Sequence, residues 1–206
     1  MPLRDLSDHM TTLEFFPNAI QSAFHPEAKR IQQKLLNAIA DIRESTPSQR
    51  PEDWACNVYT TIESNNELQN RPEFYEVKNF IEEELKYFSE IHKIYLPQGS
   101  VFIKDMWINI YNKNCSMDIH HHPNSLFTGV YFIKLPDNGA QFAFDSPSTQ
   151  EMIHAPVKMS NEYNMKNASF IASEGELIVF NSHIKHRVFL HNIDEERITL
   201  SFTAVI

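Results

Sequence analysis

Three consecutive histidines stand in the segment Asp118-Ile119-His120-His121-His122-Pro123. Side chains at alternate strand positions point to the same face, so a strand here would present His120 and His122 together and turn His121 away. Two imidazoles on one face can bind a transition metal once a third ligand reaches them from another strand. The segment therefore predicts a non-haem iron site, since Fe(II) held on one side by three ligands keeps positions open for a cosubstrate and dioxygen.

The third ligand must come from further along the chain. His186 is the best candidate, because it follows closely on the strongly apolar segment 176–180. His183 has nearly the same position, and spacing alone does not separate the two. His154 and His191 are weaker candidates.

A charged residue opens the later segment 197–202, which reads Arg-Ile-Thr-Leu-Ser-Phe. Alternation places Arg197, Thr199 and Ser201 on one face of a strand and three apolar residues on the other. An inward arginine needs an anionic partner, because an unpaired buried charge costs several kcal/mol. The segment predicts the carboxylate of a cosubstrate as this partner, with a structural Asp or Glu as the less favoured choice.

The two halves of the chain differ in periodicity. Apolar residues recur at helical spacing over residues 28–43, after Pro26, and again over residues 72–92, where the apolar stripe ends with Ile91. After residue 99 they alternate, which is typical of strands. The pattern predicts a mainly β protein with N-terminal helices, built as one domain over residues 1–206. Residues 1–98 would be a helical support region, and residues 99–206 an antiparallel barrel or sandwich.

Individual strands follow from the same alternation, and Gly99, Gly129, Gly139 and Gly175 are predicted at or near turns and bends. The segment 146–173 has no clear period and is predicted to be a long loop. Strands are predicted at residues 12–16, 58–62, 101–103, 107–111, 126–135, 140–144, 176–180, 187–191 and 198–205.

The composition limits the function classes. A net charge of -9 disfavours a general nucleic-acid binder, although a local basic groove is not excluded. Cys56 and Cys115, which form no Cys-x-x-Cys pair, indicate neither a disulfide framework nor structural zinc. The first thirty residues show no basic-then-apolar leader and no apolar run is long enough to span a bilayer, so we expect a soluble cytoplasmic protein.

The order of motifs from Trp107 onward resembles the 2-oxoglutarate and Fe(II)-dependent oxygenases. It is most similar to a group with a His-x-His-Pro motif, found in bacteria and phages and distantly like the prolyl 4-hydroxylases. This resemblance implies a double-stranded β-helix, the cupin-like jelly roll, with the metal ligands at the mouth of the barrel. It also implies a hydroxylase that couples oxidative decarboxylation of 2-oxoglutarate, with Fe(II) and O2, to oxidation of a substrate. The matching segments are 107–111, 120–125, 128–132, 144–147, 175–180, 180–188 and 197–202.

The family pattern implies roles for single residues. His120, His122 and His186 would bind iron. Arg197 would bind the far carboxylate of 2-oxoglutarate through its planar guanidinium, and Thr199 would add a hydroxyl to the same carboxylate. Tyr111 could donate a further hydrogen bond to the cosubstrate, or could equally be an aromatic residue that fills the core.

One position departs from the wider superfamily, which has a carboxylate where this chain has His122. Three histidines can hold iron, as in thiol dioxygenases, but the loss of a negative ligand changes the charge at the metal and can alter its reactivity. Asp118 has the parity of His120 and is the alternative carboxylate ligand. Asp145 is a more distant candidate, which we expect to end its strand instead.

Two other functions are open at this point. A cupin-like iron dioxygenase would bind the three histidines without using 2-oxoglutarate, but the later glutamate at cupin spacing is missing and Arg197 would lack a purpose. A non-catalytic metal-binding or interaction module would use the loop at 146–173 as a docking surface. Formation of succinate from 2-oxoglutarate, with and without Fe(II), separates these functions.

The substrate is not identified by the sequence, and a peptide residue or a small molecule would fit equally well. A nucleic-acid partner is disfavoured rather than excluded, because a single flipped base could enter a small pocket. A homodimer is left open. We expect residues 112–117 and the loop after Ser146 to form the substrate mouth, since both flank the predicted ligands, and Cys115 there to be an ordinary buried thiol.

Overall fold

The helices of this computed structural model lie in the first half of the chain, and its described residues are 16–52, 54–96, 101–147 and 156–206. Helix α1 spans Ala28–Ser45 and helix α2 spans Tyr75–Ile91, which follows two short 3₁₀ turns at Leu68–Asn70 and Pro72–Phe74. Both helices are amphipathic and bury one stripe. Within the described ranges, no helix combines the length and the hydropathy that a bilayer crossing requires. The stripes contain Ile31, Leu35, Ile39 and Ile42 in α1, and Val77, Ile81, Leu85 and Phe88 in α2.

The strands form two antiparallel sheets. In chain order they are β1 (Ile20–Phe24), β2 (Tyr59–Thr60), β3 (Phe102–Tyr111), β4 (Cys115–His120), β5 (Phe127–Lys134), β6 (Phe142–Asp145), β7 (Asn167–Phe170), β8 (Glu176–Asn181), β9 (His186–His191) and β10 (Arg197–Val205). The larger sheet has the order β1-β8-β5-β10-β3-β2, and the smaller one has the order β4-β9-β6-β7. Together they form a double-stranded β-helix, as the resemblance implies.

Alternate residues of β10 face opposite sides of the larger sheet, one side covered by the helices and the other lining a cavity. On β10, Ile198, Leu200 and Phe202 face α1 and α2 and join a large apolar cluster with the buried stripes of both helices. Arg197 and Thr199 face the smaller sheet and line a cavity between the two sheets. The helices therefore cover one face of the larger sheet and leave its other face to the cavity.

The prediction of two long helices before an antiparallel β core is confirmed. The two strands predicted at 101–103 and 107–111 are one continuous strand, β3. The loop predicted at 146–173 is wrong in part, because β7 lies within it and pairs with β6. Strand β1 was not predicted, and it pairs with β8 at the edge of the larger sheet.

Some finer expectations fail as well. Ile91 was predicted on the packed stripe of α2, but it is 61% exposed at the last residue of that helix. Gly129, predicted at or near a turn or bend, lies inside β5, three residues after the bend at Leu126. Of the strand predicted at residues 12–16, residues 12–15 lie outside the described residues and Phe16 is in a bend.

Gly129 is required by close packing between strands. A Cβ atom added there would lie 2.2 Å from the carbonyl oxygen of Ile178 and 2.5 Å from the ring of Phe202. We expect Gly129→Ala to lower the free energy of unfolding by about 1–3 kcal/mol, because backbone or core side chains must shift. Chemical denaturation of the wild type and the variant measures this loss. Gly139→Ala is the matched control, since its nearest atom would be 3.0 Å away, and equal losses in the two variants would contradict the argument.

Candidate functional site

Three imidazoles converge between the sheets. His120 is the last residue of β4 and pairs with His186, the first residue of β9. His122 lies two residues beyond the end of β4, and its ring joins the same group as the sequence predicts. Its backbone N–H donates to the carbonyl oxygen of Ser182 at 3.0 Å, which fixes the chain after the strand. One ligand nitrogen from each histidine lies within 4.8 Å of the others, so the group could hold a metal ion.

Backbone carbonyls orient two of the three rings. Nδ1 of His120 lies 2.8 Å from the carbonyl oxygen of Asp118, and Nδ1 of His186 lies 2.9 Å from that of Ile184. Because a carbonyl only accepts, each Nδ1 carries the proton and each Nε2 keeps its lone pair for a metal. The His122 ring has no hydrogen bond within the described ranges and packs against the Trp107 ring at 5.6 Å between centroids.

Burial keeps the three histidines neutral. It lowers the pKa of His122 to about 3, with repulsion from His120 as the second cause. It also lowers the pKa of His186 well below its usual value and lowers that of His120. Neutral imidazole is the form that binds a metal, so the cluster need not release protons to do so near neutral pH.

Arg197 is a buried cation without a partner in the described part of the chain. The residue is 1% exposed, and its Nε atom is buried without a hydrogen bond. Its guanidinium carbon lies 4.9 Å from the ring centroid of Tyr111 and 5.5 Å from that of Phe132. Burial lowers the pKa of Arg197 and raises the pKa of Tyr111, so this phenol stays neutral and supplies no countercharge. The structural Asp or Glu that the sequence left as an alternative is not found among the described residues.

The cavity has a polar face set by the register of β3 and β10. Tyr111 is opposite Arg197, Asn109 is opposite Thr199, and Trp107 is opposite Ser201. The amide Nδ2 of Asn109 donates to Oγ of Ser201 at 2.9 Å. Buried polar atoms without a partner on this face are Trp107 Nε1, Asn109 Oδ1 and Arg197 Nε, which indicates that a polar ligand belongs here.

No aspartate or glutamate is among the described residues that line the cavity. The half-buried Trp54 closes the side nearest the histidines, with its ring centroid 5.6 Å from that of His120. Met117 and Phe142 contribute apolar walls. The cavity therefore combines hydrogen-bond donors, neutral metal ligands and one cation, which is a set suited to an anion.

The other predicted histidine ligands lie away from the cluster. His183 is exposed, and His154 falls outside the described residues. His191 is fully buried; its Nδ1 accepts from the N–H of Ala140, and its Nε2 lies 2.6 Å from the carbonyl oxygen of Glu195. Both of its ring nitrogens are thus already used.

The two alternative carboxylates also lie outside the histidine group. The Asp118 side chain is exposed, and only its backbone carbonyl contacts His120. Asp145 ends β6, as expected, and forms an ion pair with Arg187. Neither carboxylate is close enough to join the three histidines as a further ligand.

The predicted mouth is present only in part. Met117 lines the cavity, whereas Cys115 is buried, with its thiol 3.3 Å from the carbonyl oxygen of Asn57. The described residues of the 146–173 segment do not line the cavity, and residues 148–155 lie outside the described ones.

Sequence reasoning missed Trp54, Trp107 and Asn109 as residues of the site. Trp107 and Asn109 share the strand parity of Tyr111, so the alternation that placed Tyr111 contained this signal. Trp54 lies in a segment without periodicity, and nothing in the sequence placed it beside His120.

The fold and the site together define a jelly-roll protein in which three histidines that could hold a metal ion share a cavity with a buried arginine. Residues 105–203 match the model of the family described as "Putative 2OG-Fe(II) oxygenase". This match covers just under half of the chain and indicates a 2OG-Fe(II) oxygenase, one of a family of enzymes that depend on Fe(II), 2-oxoglutarate and O2. The resemblance seen in the sequence is thereby confirmed.

Solved structures share the fold at low sequence identity. A prolyl-4-hydroxylase of Pseudomonas putida superposes with a TM-score of 0.61 at 11% identity, covering 92% of this chain and 94% of that one. The viral collagen prolyl hydroxylase of Paramecium bursaria chlorella virus-1 gives a TM-score of 0.55 at 12% identity, covering 91% and 96%. HygX of Streptomyces hygroscopicus, solved with nickel, 2-oxoglutarate and hygromycin B, gives 0.58 at 8% identity, covering 91% and 83%. Comparison with curated proteins gave no match.

The lowered pKa values predict how the stability of the metal-free protein depends on pH. Below about pH 6.5 the unfolded chain protonates its histidines, whereas the buried cluster resists protonation. The free energy of unfolding should therefore be highest above that pH and fall as the pH drops toward the lowered values, about 3 for His122. Denaturation of metal-free protein at a series of pH values measures the slope.

His122→Gln should make this slope shallower, because it removes one group that the fold keeps neutral. His183→Gln, at an exposed histidine, is the control and should leave the slope unchanged. Identical slopes for the wild type and His122→Gln would show that the cluster is not held neutral by burial.

Proposed function

We propose that this chain is a 2-oxoglutarate-dependent hydroxylase whose Fe(II) is bound by His120, His122 and His186. The observation that carries the proposal is the buried guanidinium of Arg197, which has no partner among the described residues, in a cavity whose described lining includes no carboxylate. A cation there is costly unless an anion binds, and the far carboxylate of 2-oxoglutarate is a suitable one. In a three-histidine dioxygenase that does not use 2-oxoglutarate, the buried charge of Arg197 would have no anion to bind.

The residues present fit the metal and the cosubstrate. His120 and His186 offer Nε2 atoms whose orientation is fixed by backbone carbonyls, and His122 completes a set of three nitrogen ligands. Bound Fe(II), with 2-oxoglutarate and O2, supplies the oxidising chemistry that hydroxylates a substrate C–H bond. Three protein ligands leave positions for these two molecules.

The side chains of the cavity would bind and orient the cosubstrate and exclude water from it. Arg197 would pair with the far carboxylate through its planar fork of N–H donors, and the hydroxyl of Thr199 would donate to the same group. The Tyr111 phenol, neutral because burial raises its pKa, remains a donor beside them. Because the site is buried, each of these hydrogen bonds is stronger than it would be in water.

Residues 1–98 would support this site as part of the same domain. The stripes of α1 and α2 pack on the apolar face of β10, so they fix the strand whose other face carries Arg197 and Thr199. We treat residues 1–206 as a single oxygenase domain for this reason. A cytoplasmic location, a homodimer and the lack of a nucleic-acid partner stay predictions from the sequence.

The substrate would be a peptide residue or a small molecule. Structures with this fold include prolyl hydroxylases and an enzyme solved with hygromycin B, so the fold accommodates both kinds. The half-buried Trp54 beside His120 offers an aromatic surface on which a substrate group could pack.

Metal titration tests the ligand assignment. His122→Ala should weaken Co(II) or Ni(II) binding by at least about tenfold, because one of three ligands is lost. Asp118→Asn should leave metal affinity unchanged, since this carboxylate is exposed and outside the histidine group. Isothermal calorimetry on metal-free protein measures both. Loss of metal in Asp118→Asn, with retention in His122→Ala, would assign the carboxylate as the ligand instead.

Turnover tests the function. Protein with Fe(II), O2 and candidate substrates should convert 2-oxoglutarate to succinate, and Arg197→Met should lose this activity with a rise of about tenfold or more in the dissociation constant of 2-oxoglutarate. Arg30→Met, at an exposed position of α1, is the control. The metal-free Arg197→Met protein should be as stable as the wild type or more so, because an unpaired buried charge is removed. Unchanged 2-oxoglutarate affinity together with lower stability would make Arg197 structural and count against the proposal.

A further inference from the structure

The indole N–H of Trp107 is a buried donor for which the proposed function has no role. Trp107 is 2% exposed, lines the cavity, and its Nε1 has no hydrogen-bond partner within the described ranges. A buried indole N–H normally finds an acceptor, because leaving a donor unpaired costs about 1–3 kcal/mol. The side chain is therefore not explained as an apolar wall alone.

Trp107 and Arg197 lie at opposite ends of the polar face. Trp107 pairs with Ser201, while Arg197 pairs with Tyr111 four residues further along β3. At about 3.3 Å per residue, the two pairs are roughly 13 Å apart along the strand. The Trp107 ring lies 5.6 Å from that of His122, so its N–H belongs to the histidine end of the cavity.

The histidine end also lacks negative charge. The three candidate ligands are neutral imidazoles, and the described lining residues include no carboxylate. A divalent metal held there would carry one more unit of positive charge than in a site with a carboxylate ligand. An anion bound at that end is accordingly favoured, and a fixed N–H donor beside it would orient that anion.

Asn109, the next polar residue along β3, suits this role less well than Trp107. One of its two Nδ2 hydrogens already donates to Ser201, and its unpaired atom is Oδ1, an acceptor that would repel an anion. Trp107 offers a donor only. The two residues thus differ in the ligand groups that they can receive.

We propose that Trp107 binds the keto-acid end of 2-oxoglutarate through an Nε1–H hydrogen bond to one of its oxygens. Arg197 then binds one end of the cosubstrate and Trp107 the other. This assignment rests on the proposed function and adds a cosubstrate-binding residue to it. It also gives His122 a further role, since the ring of His122 packs against that of Trp107 and helps to hold it in place.

The test uses Trp107→Phe, which removes the N–H and keeps an aromatic ring. Tyr95→Phe is the control, because it also removes a donor from an aromatic side chain, at a residue that is 85% exposed and does not line the cavity. Calorimetry on the Zn(II)-loaded proteins compares two probes. Pyruvate has the keto-acid end alone, whereas 2-oxoglutarate has in addition the carboxylate assigned to Arg197.

Trp107→Phe should weaken both probes by about tenfold, as expected for a lost hydrogen bond to a charged group. Tyr95→Phe should weaken neither, and Arg197→Met should weaken 2-oxoglutarate but not pyruvate. Unchanged binding of both probes in Trp107→Phe would overturn the inference while leaving the proposed function intact. Failure of the wild-type protein to bind 2-oxoglutarate at all would overturn the proposed function itself.

A second measurement does not depend on how the variant folds. The chain has two tryptophans, so its ¹⁵N spectrum contains two indole N–H signals, which Trp54→Phe assigns. Adding pyruvate to Zn(II)-loaded wild-type protein should shift the Trp107 indole signal to lower field and slow its exchange with solvent. An indole signal that does not move at saturating pyruvate would contradict the proposed hydrogen bond.

Discussion

A desolvated guanidinium on the central strand of the larger sheet is the constraint around which this molecule is built. Arg197 is almost completely buried, and in the described ranges no carboxylate or carbonyl approaches it. Aromatic faces of Tyr111 and Phe132 offset part of the cost, but they do not neutralise the charge. Such a residue destabilises the empty protein, and the proposed binding of a 2-oxoglutarate carboxylate would offset this cost. The surrounding donors and the absence of acids follow the same logic.

Strand β10 of the larger sheet meets two demands at once. Odd-numbered positions of β10 carry the ligand-facing polar groups, and even-numbered positions pack against the helices. A slip of one residue in register would therefore move Arg197 into the apolar cluster and Ile198 into the cavity. The helices have no residue in the cavity, yet their packing holds the register on which the site depends. Core stability and ligand recognition are linked through a single strand.

Strand alternation explains what the sequence could predict. It placed Arg197 and Thr199 on one face and gave most of the strands, while helical spacing gave the two helices and the family resemblance gave the jelly roll. It also placed His122 beside His120, although His122 lies beyond the end of β4, where its backbone N–H donates to Ser182. It could not place Trp54, which comes from a segment without regular structure. The sequence could not predict that the indole N–H of Trp107 has no acceptor either, because this depends on all of the groups that surround it in the folded protein.

Trp54 comes from a different part of the chain than the other residues that line the cavity. Within the described residues, all other residues that line the cavity come from 105–203, the stretch that matches the family, and Trp54 alone comes from before it. The proposed metal ligands and the proposed substrate surface are thus encoded in different parts of the chain. An exchange of Trp54 would change the cavity wall beside His120 without touching a proposed metal ligand or Arg197. In evolution, the proposed oxidising centre could therefore acquire new substrates through this one side chain, while Cys56 and Val58, buried two and four residues later, keep the segment packed in the core.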